Sequence, residues 1–196
     1  MKKVVIFFAV LAFIVSGLFA GPFGIEMGWT VEDLKNNGIT FTTRKKTQNI
    51  TTYDVFPKTT HPSFESYSVA IDDVKGVYKI NIFGNDIETS IYGIALKEEY
   101  EKIKNQISIT YGTPKSYDYL RSGSIWDEPN EWMKSLEKEE RVLHSFWYPV
   151  PKETIESIFL EAIALGSDSG YLFLSYQSND IDEILARRDS ALSNVF

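Results

Sequence analysis

The sequence contains no cysteine among its 196 residues. No disulfide can stabilise the fold, so a folded domain must depend on its own apolar core. The absence excludes cysteine nucleophiles and thiolate metal sites. It also excludes attachment of a lipid through cysteine, and therefore a bacterial lipoprotein.

Histidine, the commonest general base, is nearly absent as well: the chain has only His61 and His144. They are far apart in sequence and show no metal-binding spacing, so we expect a surface loop histidine and a strand-packing histidine. The nearest approach to a nucleophilic Gly-x-Ser-x-Gly motif is residues 166–170, where Asp168 occupies the central position. No catalytic residue, metal site or cofactor is predicted, and we expect a protein that is not an enzyme.

Basic clusters are scarce too. The formal charge is −7, and removal of Lys2 and Lys3 with an N-terminal segment would take it to −9. An acidic chain disfavours nucleic acid and anionic membranes as partners.

The first twenty residues predict a secretory signal peptide. Two lysines precede an unbroken apolar run over residues 4–15, and the small residues Ser16, Gly17 and Ala20 follow. We expect cleavage after Ala20, which gives a periplasmic or secreted protein with no stable membrane insertion after cleavage. The alternative is a retained transmembrane anchor, for which the run is at the lower limit of length.

The remaining 176 residues suit a single domain, 21–196, with 43% apolar residues in the whole chain. A capping box formed by Thr30 and Asp33 predicts the start of a short helix, which Asn37-Gly38 ends. Polar, β-prone segments then predict strands at 39–43 and 51–56. Alternating apolar and polar residues predict a hairpin of strands at 67–71 and 77–82, with a turn at 72–76.

A second helix is predicted at 96–111, where Leu96, Tyr100, Ile103 and Ile107 form one apolar stripe. An acidic insertion then opens a short helix from Asp127 to Glu139. Strands are predicted at 142–148, 155–165 and 171–176, and a closing helix at 179–192.

This order predicts an α+β fold: an antiparallel sheet with helices packed on one face, built from two helix-then-strands units at 21–91 and 92–178 plus the closing helix. The other face of the sheet would then be open to a partner. Thr40, Thr42, Thr51 and Lys79 are the polar residues expected to line part of it.

Two short phrases carry a family resemblance. Gly28-Trp29-Thr30 followed by Leu34, and Tyr111-Gly112-Thr113-Pro114, resemble the phrases that open and end the helical part of β-lactamase-inhibitor-protein-like repeats and of the related small outer-membrane assembly lipoproteins. The resemblance implies small α+β envelope domains that bind proteins without catalysis, tandem copies doing so through an aromatic-rich sheet face. The missing lipid-bearing cysteine departs from the lipoprotein pattern.

Aromatic residues around the acidic insertion are the candidate binding residues. Trp126 and Trp132 lie on it and Tyr148 lies beyond it, and such side chains combine large apolar area with a polar group. We therefore expect an exported bacterial envelope protein that binds another protein. The alternatives are a carboxylate-dependent hydrolase of cell-wall material and a carrier of a small ligand or Ca²⁺.

Overall fold

The computed structural model describes residues 21–150 and 154–193, so the predicted signal peptide at 1–20 lies outside the described residues. The described chain forms a nine-stranded antiparallel sheet with helices on its faces, which confirms the α+β prediction. The helices are α1 (Val31–Asn36), α2 (Ile94–Tyr111), α3 (Trp132–Glu137) and α4 (Ile181–Ser193), and the strands are β1 (Thr40–Thr47), β2 (Ile50–Phe56), β3 (Phe64–Asp72), β4 (Gly76–Gly84), β5 (Ile87–Glu88), β6 (Lys115–Leu120), β7 (Arg141–Trp147), β8 (Ile155–Ala164) and β9 (Ser169–Ser178).

The strand order is β1-β2-β3-β4-β9-β8-β7-β6, and the short β5 pairs with β9. Each half of the sheet is thus a four-stranded meander that follows a helix, and the last strands of the two halves, β4 and β9, pair with each other. This is the order that two helix-then-strands units produce when they join at their final strands. The repeat itself stays a prediction.

The start of the first half shows how local sequence fixes the chain. Thr30 and Asp33 form the predicted capping box: the Thr30 amide donates to the Asp33 carboxylate (2.8 Å) and the Asp33 amide donates to Thr30 Oγ1 (3.2 Å). The segment before the helix then pairs with the start of β4, because the Gly28 amide donates to the Val77 carbonyl (2.7 Å). Gly76 has φ +75°, and a Cβ there would collide with the Gly28 carbonyl, so glycine is required for this approach.

Helices α1, α2 and α3 all pack on one face of the sheet, which we call the covered face. The stripe predicted for α2 is buried there as expected, and Leu34 of α1 joins the same core. Alternate strand residues complete it, including Val69, Ile80, Leu160 and Leu174. Thr51 was expected on the opposite face, but it pairs with the core residue Ile71 and is buried, so that expectation is wrong.

Helix α4 lies on the opposite face, over β2, β3 and β4. Its Ile181, Ile184 and Leu185 pack against Ile50, Ala70 and Tyr78, which form a small core separate from the main one. A buried carboxylate fixes the helix: Asp72, at the end of β3, accepts a hydrogen bond from the Arg187 guanidinium (2.8 Å). The C-terminal half of this face carries no helix among the described residues.

Candidate interaction surface

The face opposite α1–α3 is built from side chains that pair directly across the strands. One cross-strand row runs through Tyr117, His144, Glu161, Phe173 and Phe83. Directly paired residues of antiparallel strands have Cβ atoms about 5 Å apart on one face, so these side chains are neighbours.

The adjacent row adds further rings. Phe146 of β7 pairs with Phe159 of β8, and Tyr148 extends from the end of β7 to stack on Phe146, with ring centroids 6.0 Å apart and an interplanar angle of 17°. Tyr119 lies two residues beyond Tyr117 on β6 and shares its face. The aromatic surface consists of these rings: Phe83, Tyr117, Tyr119, His144, Phe146, Tyr148, Phe159 and Phe173.

The rings contact one another and also face solvent. His144 lies 5.1 Å from Tyr117 and 5.3 Å from Phe159 by ring centroids. Tyr117 is 44% exposed and Tyr148 is 56% exposed, while the other rings of the central strands are half-buried. A contiguous, partly exposed group of aromatic side chains is typical of an interaction site, because burial of such rings by a partner removes much apolar area from water.

Charged groups in this surface are poorly hydrated. Burial raises the pKa of Glu161, and the nearby Glu139 carboxylate raises it further. Burial also lowers the pKa of His144, its neighbour on β7, and, outside the aromatic surface, that of Lys79 on β4. Each shift favours the neutral form of the group. A cation brought close to Glu161 would therefore offset the desolvation free energy of its ionised carboxylate.

The structure separates the three residues predicted from sequence. Tyr148 belongs to the aromatic surface. Trp132 is 6% exposed and lies in the core of the covered face, where the Lys97 ammonium is 3.9 Å from its ring centroid, so it offers almost no area to a partner. Trp126 is half-buried beside Lys134 of α3. The sheet lies between α3 and Tyr148, and the three side chains do not form one site.

The other rings of the aromatic surface were missed from sequence. The strand β6 was not predicted at all, although Tyr117 and Tyr119 alternate with Ser116 and Asp118; its side chains are exposed or half-buried. The signal lay in β7, where His144, Phe146 and Tyr148 alternate with the buried Leu143 and Trp147. A strand that is apolar on both faces is typical of a sheet whose two faces are both buried, by the chain itself or by a partner.

The second histidine lies elsewhere and has a structural role. His61 Nδ1 accepts a hydrogen bond from the Ser63 amide (3.2 Å), and the Ser63 hydroxyl donates to the Glu99 carboxylate of α2. Burial raises the pKa of Glu99, but Ser63 and Lys102 outweigh it and hold that pKa below its ordinary value. Because this hydroxyl is bound to an ionised carboxylate rather than to the imidazole, the group joins the loop before β3 to α2 and is not a nucleophile–base pair.

Within the described ranges, no cluster of three or more histidine, aspartate or glutamate side chains is arranged to hold a metal ion. In the same part of the chain, none of the helices combines the length and apolar character needed to cross a membrane. Comparison with protein-family models, with curated proteins and with solved structures gives no match for this chain.

Proposed function

We propose that this chain is an exported bacterial envelope protein that binds another protein through the aromatic surface and catalyses no reaction. The observation that carries the proposal is the contiguous group of partly exposed rings across β6, β7, β8, β9 and β4. Tyrosine and tryptophan rings dominate the energetics of protein interfaces, and a rigid sheet presents them at little cost in conformational entropy.

The position of the surface also favours a macromolecular partner. The rings span five neighbouring strands spaced about 4.8 Å apart, so the surface is about 20 Å wide. A small molecule binds in a concave pocket that encloses most of its surface, whereas a broad sheet face suits a protein. The exposed edge strand β6, with Tyr117 and Tyr119, extends the same surface to the rim of the sheet.

Site-specific photo-crosslinking tests the proposal. p-Benzoylphenylalanine replaces Tyr117 or Tyr148 in turn, and the control replaces Ile109, which is 87% exposed on α2 and on the other side of the sheet. In cells that produce the protein natively, we expect a discrete protein adduct from positions 117 and 148 and none from 109. Adducts from 109 alone, or from the same replacement at Trp126 alone, would contradict the assignment to this face.

Export is tested separately by the mass of the native protein. Cleavage of the predicted signal peptide gives a chain that begins at Gly21. Intact-mass measurement of protein from the envelope fraction should find that species. A mass that includes Met1 or Lys2 would refute cleavage.

A further inference from the structure

A cleft opens beside the aromatic surface because two neighbouring strands diverge. β7 and β8 pair from His144–Glu161 to Trp147–Ile158, whereas residues 141–143 and 162–164, both within the described chain, are not paired with each other. The gap holds a cleft of about 290 Å³. Its position next to His144 and Glu161 makes it continuous with the aromatic surface.

The lining of the cleft combines apolar walls with acidic groups. Leu136, Val142 and Ile163 supply apolar contacts, and two acidic residues, the exposed Glu139 and the half-buried Glu161, also line the space. Among residues 21–150 and 154–193, the Glu161 side chain finds no hydrogen-bond or ion-pair partner, and the residue is half-buried. Such a carboxylate has lost part of its hydration without gaining a hydrogen bond or ion pair that offsets the desolvation free energy.

The cations of the cleft do not neutralise these carboxylates. Arg141 is held by Asp118 (3.0 Å) and by the Ser135 hydroxyl (3.1 Å), on the side away from Glu161. Arg121 lines the rim as an exposed side chain. Glu139 is the neighbour that acts electrostatically on Glu161, and two carboxylates together favour a cation between them.

We propose that this cleft accepts a lysine or arginine side chain from the protein that binds the aromatic surface. The aliphatic stem would pack on Val142 and Ile163, and the charged group would reach Glu161 and Glu139. Tyr117 pairs with His144 and Phe173 pairs with Glu161, so two rings lie in the same cross-strand row as the Glu161 carboxylate, and aromatic rings favour a cation over a neutral group. This inference rests on the proposed function, since it names the chemistry of the partner that the same surface would bind.

The test uses two matched peptides, acetyl-Leu-Arg-Leu-amide and its neutral isostere acetyl-Leu-citrulline-Leu-amide, added at millimolar concentrations to ¹⁵N-labelled protein. We expect the arginine peptide to shift the amides of Val142, Glu161 and Ile163, and the citrulline peptide to bind about tenfold more weakly. Glu161→Gln should weaken arginine-peptide binding by about tenfold. The control is Glu98→Gln, the same change at an exposed position of α2, which should leave the binding unaltered. The amide spectrum of Glu161→Gln verifies its fold.

Several results would overturn the inference: no shift with the arginine peptide, equal binding of the two peptides, or unchanged arginine-peptide binding by Glu161→Gln. Tighter binding of choline than of the arginine peptide would assign the cleft to a small quaternary ammonium ligand instead. If the two peptides bound equally and Phe159→Ala abolished the binding of both, the aromatic surface would be a binding site that does not use a basic side chain of its partner. Failure of the proposed function would be seen in a different experiment, as missing crosslinks from positions 117 and 148.

Discussion

Replacing Asp72 with asparagine should destabilise the fold by about 2–3 kcal/mol, through the loss of charge-assisted hydrogen bonds. The Asp72 side chain is fully buried and accepts hydrogen bonds from the backbone amides of Val74 (3.0 Å) and Lys75 (2.9 Å) and from Arg187 (2.8 Å) at one oxygen. Asn49 donates to the other oxygen. This one carboxylate therefore joins the turn between β1 and β2, the turn between β3 and β4, and helix α4.

The magnitude follows from the charge that the substitution removes. The carbonyl oxygen of the new amide side chain can keep the three bonds at its position. The two bonds from backbone amides change from charge-assisted to neutral, a loss of about 0.5–1.5 kcal/mol per bond, and the bond from Arg187 keeps its charged donor but loses the opposing charge. The Arg187 side chain is 35% exposed and regains some hydration, so the full penalty of an isolated buried charge, about 3–5 kcal/mol, does not apply.

Urea unfolding at pH 7 measures the effect. With an m-value of about 2 kcal/mol/M, the expected loss lowers the midpoint by roughly 1–1.5 M. The control is Asp73→Asn, the same substitution at the exposed neighbouring position, which should change stability by less than about 0.5 kcal/mol. Equal midpoints for the two variants would refute the reasoning.

The pH dependence gives an independent check of sign. Burial raises the pKa of Asp72, but the backbone amides and Arg187 outweigh it and hold the pKa below its ordinary value. Such a carboxylate stabilises the fold above its unfolded pKa of about 3.9, and the contribution is lost as pH falls through the lower folded pKa. The stability difference between wild type and Asp72→Asn should therefore be constant near neutral pH and shrink only in acid.

Three further predictions concern the core and the surface. Gly93→Ala should cost about 3 kcal/mol in urea unfolding, because φ is +69° and the new Cβ would overlap the Trp132 ring; Gly123→Ala, at φ +86° in open space, should cost about 1 kcal/mol. Tyr100→Phe should cost about 1–2 kcal/mol, because the hydroxyl bonds a buried serine of β7 (2.6 Å). Burial raises the pKa of Tyr100 to about 12, so the wild type should lose this group's contribution as pH rises from about 10 to 12 and the phenylalanine variant should not. Glu161→Gln should unfold at a higher urea concentration than wild type at pH 7, because burial raises the pKa of Glu161 and so disfavours the ionised form in the folded state. The difference should vanish below about pH 4, where the glutamate is protonated in both the folded and the unfolded state. A variant less stable than wild type at pH 7 would contradict that account.

Local physics made much of the fold predictable from the sequence. The Thr30–Asp33 capping box, the α2 stripe and the β3–β4 hairpin all depend on residues close together in the chain, and the structure confirms each of them. The strand β6 was missed because an exposed edge strand buries none of its side chains, and its only periodic signal is the short alternation of Tyr117 and Tyr119 with Ser116 and Asp118. Trp132 was misjudged because a polar insertion can still fold its tryptophan back into the core.

The sequence by itself determined the α+β class, the ends of α1 and the alternation of the β3–β4 hairpin, because these follow from spacing and from contacts between near neighbours. It did not determine the ends of α3, which was predicted at 127–139 and spans Trp132–Glu137. Only the tertiary structure decided which rings share a surface, because Phe83, Tyr117, Phe159 and Phe173 come from four different strands. They meet through pairing registers between segments far apart in the chain, and a shift of one residue in any register would turn that strand's rings to the other face.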